Sequence, residues 1–387
     1  MKMTEKIKLT LYFLLARPAA ILASLLLRRP WLILEKADTA RDSGMVFFNW
    51  MTRNHPEIPV FYIIRKDAYD RCRLDEAGRI VSYGSFRHIW LGCLASLHIH
   101  EYAASGNCFP EELPWFLRKH IRKKPFYLDV FLPHGVTYGS SDTYKKDNLK
   151  CHLYICSAAA EQDNLIRNLG YNKKNALLTG LPRLDIWYEK NHPDPGRILY
   201  MPTWRMKLAD VSDEEFVQSD YYKLVNSILS DPEIIRVLDA YDLNMDFYIH
   251  IQMQKYKKLF TPASKRIHVL GLDSSIQELM GRASLLITDC SSVHFDFAYM
   301  GKPVLYCRND RESFAREQYA EQGFSVEENG FGPACQSAKE LAGLLEENCR
   351  KNFRQEELYK KRMLGFYGLV RDGNCQRLYE VLKKRGV

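Results

Sequence analysis

The sequence predicts an α/β protein of two doubly wound domains that face each other across a cleft. Three observations carry that expectation. Short apolar runs alternate with amphipathic stretches, the pattern of parallel sheets covered on both faces. The alternation stops once, at the polar, proline-bearing stretch Glu189–Arg197, and then restarts. The chain's 387 residues exceed one comfortable core and suit two domains of roughly 150–200 residues. The expected division is 1–29 for an N-terminal segment, 30–188 for the first domain and 189–387 for the second.

Taken in order, Trp31–Leu34, Val60–Ile64, Arg79–Ser82, Leu97–Glu101, Val130–Pro133, Leu153–Cys156 and Ala176–Thr179 read as strands of the first domain. Phe86–Ala95 and Ala158–Leu169 carry helical spacing between them. In the second domain Ile198–Met201, Phe247–Ile251, Ile267–Leu270, Leu285–Thr288 and Val304–Cys307 are the strands, with Ile276–Gly281 in a helix. Ala338–Asn348, Glu356–Tyr367 and Cys375–Lys384 close the chain as helices.

Composition narrows the classes. At 46% hydrophobic and 26% charged residues the chain is an ordinary globular one, not a disordered one. Ten scattered cysteines without a CxxC pair or a histidine cluster near them fit reduced core thiols better than a disulfide scaffold or a zinc site. Positive charge is lopsided: residues 1–185 hold 27 Lys and Arg against 18 Asp and Glu, the remainder 28 against 29. A basic half faces a polyanion or an anionic surface, unless it is a solvated face kept for solubility.

The amino terminus favours a lipid surface. Leu9–Leu27 is almost wholly apolar, but Arg17-Pro18 breaks its middle. A cation at mid-bilayer costs about 2.5–3.5 kcal/mol even on lenient scales, so a simple spanning helix is disfavoured. Lys2, Lys6, Lys8, Arg28 and Arg29 flank the stretch, as in a helix lying in an anionic interface. A cleaved signal peptide lacks a small-residue cleavage site here. A helix packed on the domain's own core is the remaining alternative. Trp115, Phe116 and Phe126 around Arg118, Lys119, Arg122, Lys123 and Lys124 form a second aromatic and cationic segment. Together they predict an N-terminal membrane-associating helix on a peripheral protein.

In doubly wound sheets ligands sit beyond the carboxyl ends of the strands. After Val130–Pro133 comes His134-Gly135, placing a group of near-neutral pKa at such an end. After Leu285–Thr288 comes Asp289-Cys290-Ser291-Ser292, followed by a helical face of Val293, Phe297 and Met300. That spacing puts both serines in a helix's first turn, where amides and dipole favour an anion; a plain N-cap is the other reading. Ile198–Met201 runs into Pro202-Thr203-Trp204-Arg205, and Arg205 suits a phosphate or a carboxylate equally. The apolar run Phe247–Ile249 leads into His250. Gly180-Leu181-Pro182-Arg183-Leu184-Asp185 reads as a structural turn. No P-loop, no G-x-G-x-x-G after the first strand and no D-x-D pair is present.

The run Leu286–Val293, with Phe295-Asp296 and Gly301-Lys302-Pro303-Val304, resembles the CDP-glycerol glycerophosphotransferase family of teichoic-acid and capsule enzymes. Tyr200–Arg205, His134-Gly135 and Gly180–Asp185 resemble that family's other motifs in the same order. Cys290 stands where the family more often has tyrosine, and Val136-Thr137 where Thr-Pro is commoner. The resemblance implies a GT-B-like pair of Rossmann-like domains on the cytoplasmic face of a bacterial membrane. The implied reaction moves an alditol phosphate from CDP-glycerol or CDP-ribitol to a lipid-linked acceptor, releasing CMP. It implies His134 as base, with His250 beside the phosphates. Thr203, Arg205, Asp289, Ser291 and Ser292 are the expected donor-binding residues, with no metal and no cofactor. The alternatives are a nucleotide-sugar glycosyltransferase of the same fold and an inert membrane- or polyanion-binding protein. No nucleic-acid partner is expected, and competition by duplex DNA at physiological salt would test that.

Overall fold

In a computed structural model, residues 3–102, 107–123, 125–138, 141–271, 273–289, 291–308, 325–369 and 372–386 are described. Lys2, Lys124 and Cys290 lie outside these residues, as do the side chains of Arg122 and Lys123. The chain divides into two compact units, Met1–Ile186 with Gly368–Val387, and Trp187–Tyr367.

The first unit is built on a seven-stranded sheet, wholly parallel, in the order β3-β2-β1-β4-β5-β6-β7. Its strands are β1 (Trp31–Leu34), β2 (Val60–Ile64), β3 (Ile80–Ser82), β4 (Leu97–His100), β5 (Leu128–Phe131), β6 (Leu153–Cys156) and β7 (Ala176–Leu178). β1 is buried at every position, which is why it reads as a continuous apolar run and not as alternation. Helix α2 (Ser43–Asn54; α1 is Met3–Ala23) is capped by Asp42, whose carboxylate accepts the Ser43 N–H at 2.7 Å. Ser85 caps α3 (Phe86–Leu94) by accepting the His88 N–H at 3.1 Å.

Helix α1 packs on the domain's own core, the alternative reading of the amino terminus, and it also has a second, exposed apolar face. Leu9, Phe13, Ala16 and Ala20 are buried in a cluster with Ile89 and Cys93 of α3 and with Ile121 of α4 (Trp115–Lys123). Each large apolar side chain so buried contributes about 1.5–3 kcal/mol. Arg17 turns inward, where its guanidinium lies 3.5 Å from the Phe126 ring centroid and donates to the Cys93 carbonyl at 3.3 Å. The opposite face leaves Leu11, Leu14, Leu15 and Leu22 exposed, as are Leu25–Leu27 just beyond and Trp115 and Phe116 on α4. Among the described residues no helix is long and apolar enough to cross a membrane.

The second unit holds a six-stranded parallel sheet in the order β10-β9-β8-β11-β12-β13. These are β8 (Asp194–Tyr200), β9 (Asn244–Tyr248), β10 (Ile267–Leu270), β11 (Ala283–Thr288), β12 (Val304–Cys307) and β13 (Ala334–Cys335). Three findings correct the sequence reading. β8 begins at Asp194, inside the stretch read as a linker, because Asp194 pairs with Ala283 across an irregular register. Helices Asp213–Gln218, Asp220–Ser230 and Pro232–Ala240 fill a stretch to which no helix was assigned. The last helix, Asn374–Lys383, belongs to the first unit and not to a domain 189–387. Asp185 explains this: its carboxylate accepts the Asn374 and Cys375 amides at 2.9 Å each, while Tyr379 stacks on His55 at 3.8 Å. Gly180 lies under that junction with φ +77°, where a Cβ would stand 1.7 Å from the Asn374 Oδ1 atom.

Candidate active site

Both sheets change direction once, between β1 and β4 in the first unit and between β8 and β11 in the second, and such switch points are where doubly wound sheets bind ligands. Thr203, Arg205 and Asp289 follow the two strands of the second switch point, whereas His134 follows β5 and His250 follows β9, each one strand away from the switch point of its own sheet.

In the first unit His134 follows β5 by three residues, with its side chain exposed. Protein surrounds much of the ring even so, and burial lowers its pKa; Arg183 and Lys36 push the same way while Asp42 opposes them. The imidazole is therefore neutral at pH 7 and can accept a proton. Its main chain is held by Arg183, whose Nη1 donates to the His134 carbonyl and, at 3.0 Å, to Asp42. Gly135 allows this approach, since a Cβ there would stand 3.0 Å from the guanidinium. Behind Asp42, Glu35 accepts the amides of Arg41, Asp42 and Met45 at 2.8, 3.1 and 2.7 Å. Glu101 accepts the Gly44 amide at 2.9 Å. Burial, with Asp42 nearby, raises Glu35 to about 7, and burial beside Glu35 raises Glu101 well above the carboxylate range.

In the second unit the loop after β8 ties three strand ends together. Thr203 donates its N–H and hydroxyl to Asp289 Oδ1 at 2.8 and 2.6 Å. Arg205 donates Nη1 and Nη2 to Asp289 Oδ2, both at 3.1 Å, and Nη1 to the Thr203 carbonyl at 2.6 Å. Arg205 is fully buried, with its guanidinium 5.0 Å from the Tyr221 ring centroid. Of the two roles the sequence left open for Arg205, the structure displays the carboxylate partner: the guanidinium orders the loop and is not presented to solvent. Between these residues Trp204 stacks on His250, 5.4 Å between centroids and 8° between planes.

Burial lowers the His250 pKa to about 4, so the ring is neutral. Its Nδ1 accepts the Gln252 N–H at 3.2 Å, which assigns the remaining proton to Nε2 and makes that atom a donor. Ser291 and Ser292 follow Asp289 at the same strand end, but they precede the helix Val293–Tyr299 and do not form its first turn. Their carbonyls accept the amides of His294 and Phe295 at 3.0 and 3.2 Å, and the exposed Ser292 hydroxyl makes no capping bond. Gly301, with φ +75°, follows the end of that helix in the left-handed conformation that glycine favours.

Sequence reasoning missed Asp42, Glu35 and Glu101, and took Arg183 as merely structural. An Asp-Ser pair before helical spacing was the available signal for Asp42. No group of three or more potential metal ligands occurs among the described residues.

The chain is 27% identical, across 95% of its length, to the minor teichoic acid biosynthesis protein GgaB of Bacillus subtilis (strain 168), and spans 41% of that protein. It is 27% identical, across 59% of its length, to the teichoic acid poly(glycerol phosphate) polymerase of Bacillus spizizenii (strain ATCC 23059 / NRRL B-14472 / W23), and covers 58% of it. The chain thus spans about half the length of the curated relatives it matches. Among solved structures it resembles the wall teichoic acid polymerase TagF, with a TM-score of 0.73 and 15% identity over 98% of this chain and 93% of that one. It also resembles a putative UDP-N-acetylglucosamine 2-epimerase from Listeria monocytogenes, with a TM-score of 0.55 and 12% identity over 93% and 97% of the two chains. These two likenesses confirm a pair of Rossmann-like α/β units. The model of the CDP-glycerol:poly(glycerophosphate) glycerophosphotransferases matches residues 25–384, so the chain belongs to that family.

Proposed function

We propose that this chain transfers glycerol phosphate or ribitol phosphate from a CDP-alditol to a lipid-linked teichoic-acid or capsular acceptor, releasing CMP. The observation that carries the reading is the pair of neutral histidines at strand ends, one able to accept a proton and one able to donate a hydrogen bond. Membership of the family and the names of the polymerases it resembles point the same way.

In this reading His134 takes the proton of the acceptor hydroxyl as its oxygen attacks the alditol-bearing phosphorus, and CMP departs with the bonding pair. The donor phosphates gather charge as this happens, and His250 Nε2–H with the Ser291 and Ser292 hydroxyls stabilises it. Arg205, Thr203 and Asp289 act one step back, holding the loop that carries Trp204 against His250.

The exposed leucines of α1 and Trp115 and Phe116 of α4 form the surface by which the protein sits on the cytoplasmic face of an anionic membrane. The decisive assay supplies the pure protein with CDP-glycerol or CDP-ribitol and a lipid-linked acceptor analogue. CMP release coupled to acceptor extension is expected. Turnover only with a nucleotide-sugar, releasing a nucleoside diphosphate, would overturn the reading in favour of a glycosyltransferase.

A further inference from the structure

The first unit contains a cavity of about 230 Å³ that the reaction as described does not use. It lies beside the switch point, where the segments following β1, β2, β3 and β4 contribute Lys36, Arg65, Tyr83 and Tyr102 respectively. The segment before α4 completes it with Glu111 and Glu112.

Its chemistry is that of a small polar ligand. Tyr83 fixes one wall: its hydroxyl accepts the Glu111 N–H at 2.8 Å and donates to Glu112 at 2.9 Å. The other wall is knitted by the Arg65 N–H, which donates to the Ala37 carbonyl at 2.7 Å, and the Lys36 ammonium lies 5.4 Å from the Tyr102 ring centroid. Among the described residues the side chains of Arg65 and Glu111 have no ion-pair or hydrogen-bond partner. Four carboxyl residues, Glu35, Asp38, Glu111 and Glu112, line the cavity with two cations, Lys36 and Arg65, and the Arg65 and Glu111 side chains stand at its solvent-open side. The volume is below the ~300–1,000 Å³ that encloses drug-sized ligands, so a whole CDP moiety does not fit. Carboxylates in the wall also oppose a diphosphate, whereas they accept hydroxyl protons well. A ligand that satisfies both walls is an uncharged, hydroxyl-rich unit joined to one phosphodiester.

Glu35 connects this cavity to the proposed base. It lines the cavity, and its carboxyl oxygens hold the Asp42 and Met45 amides beside the Asp42–Arg183–His134 chain. We propose that the cavity lined by Arg65, Tyr83 and Glu111 is the acceptor subsite, seating the polyol-phosphate unit next to the attacking hydroxyl. Arg65 and Lys36 take the phosphodiester, while Glu111 and Glu112 accept the hydroxyls.

This assignment rests on the phosphotransferase reading, so its test includes binding as well as turnover. Short soluble oligomers of glycerol phosphate and of ribitol phosphate are titrated calorimetrically into the full chain, its Arg65→Ala and Glu111→Ala variants, and Arg65→Lys. Unchanged circular dichroism establishes that the variants are folded. Arg65→Ala should weaken binding of the preferred oligomer at least about tenfold, the effect of losing one charge-assisted hydrogen bond. Arg65→Lys should recover part of that affinity, and Glu111→Ala should weaken binding several-fold. Acceptor KM should rise in parallel, outweighing any change in kcat, with CDP-donor affinity unaltered. Equal oligomer affinity in the wild type and both alanine variants overturns the subsite, as does a wild type that binds neither oligomer. Oligomer binding that depends on Arg65 without CMP release from either donor overturns the reaction instead and leaves the subsite standing.

Discussion

Replacing Asp289 by leucine strands the Arg205 guanidinium in a fully buried position, with its carboxylate partner gone. Removing one partner of a buried pair costs about 3–5 kcal/mol, because the remaining charge stays desolvated. Thr203 also loses the acceptor of its N–H and hydroxyl. A unit of this size shifts its melting temperature by roughly 2–4 °C per kcal/mol, so the expected fall is roughly 6–20 °C. The double variant Arg205→Met, Asp289→Leu removes both charges and fills their volume. Its remaining cost is that of the orphaned Thr203 groups, about 1–3 kcal/mol. The double variant should therefore be more stable than Asp289→Leu alone, a reversal that independent contributions cannot produce. Urea unfolding followed by circular dichroism, with calorimetry for the melting temperature, measures both and Arg205→Met alone. A single variant costing less than about 1 kcal/mol, or a double costing the full sum of the singles, refutes the idea that this pair orders the loop.

His134→Ala should leave the fold intact and lower turnover at least about a hundredfold, and near-normal turnover would remove His134 from the mechanism. Ser291→Ala with Ser292→Ala should weaken CDP-donor binding, since each hydrogen bond to a charged group is worth about 1.5–3 kcal/mol; unchanged affinity by calorimetry would place the diphosphate elsewhere. Burial lowers His88 and His250 to about 4 and His98 and His294 to about 3, so the unfolded chain takes up protons first as pH falls. Their stabilisation is complete above about pH 6.5 and declines from there toward pH 4. Glu35 and Glu161, raised to about 7, and Glu101 oppose this, because their folded forms keep protons that the unfolded chain releases above about pH 4.5. With His134, also lowered by burial, five histidines against three carboxyls leave a net loss of stability on acidification through that window; a urea midpoint that rises between pH 6.5 and 4 would contradict it. Leu22→Glu with Leu26→Glu should abolish flotation with anionic vesicles at little cost in stability, because both side chains are exposed. Deleting residues 1–28 is a poorer test, since it strips Leu9, Phe13, Ala16 and Ala20 from the core, and equal flotation of the substituted protein would refute the membrane surface.

Strand order along the chain was legible because buried parallel strands are continuous apolar runs with sharp polar ends. β13 was not, since two residues leave no run to see. The Asp289 and Ser291 corner was visible as a strand end followed by helical spacing. What Arg205 does was not, because a guanidinium suits phosphate and carboxylate equally and its partner lies 84 residues away. The almost wholly apolar Leu9–Leu27 stretch left a membrane surface and the domain's own core as alternatives. The structure has apolar residues on two sides, and a one-dimensional pattern does not say which side meets protein. Periodicity likewise marked the terminal helix without revealing which sheet it would join, a choice made by the Asp185 carboxylate.

That helix has a consequence for the order of assembly. The amide of Asn374 and the Asp185 carboxylate that receives it are 189 residues apart, and the whole of Trp187–Tyr367 is synthesised between them. Chains emerge at about 5–20 residues per second and domains tend to fold as they appear. The second unit therefore has all of its residues before the first has its last helix, although the first unit's sheet was made earlier. Until then the Trp31 and His55 rings wait without Tyr379, and Asp185 without its amides. A purified chain truncated after Tyr367 should resist protease across Trp187–Tyr367 while its earlier half is still being cut.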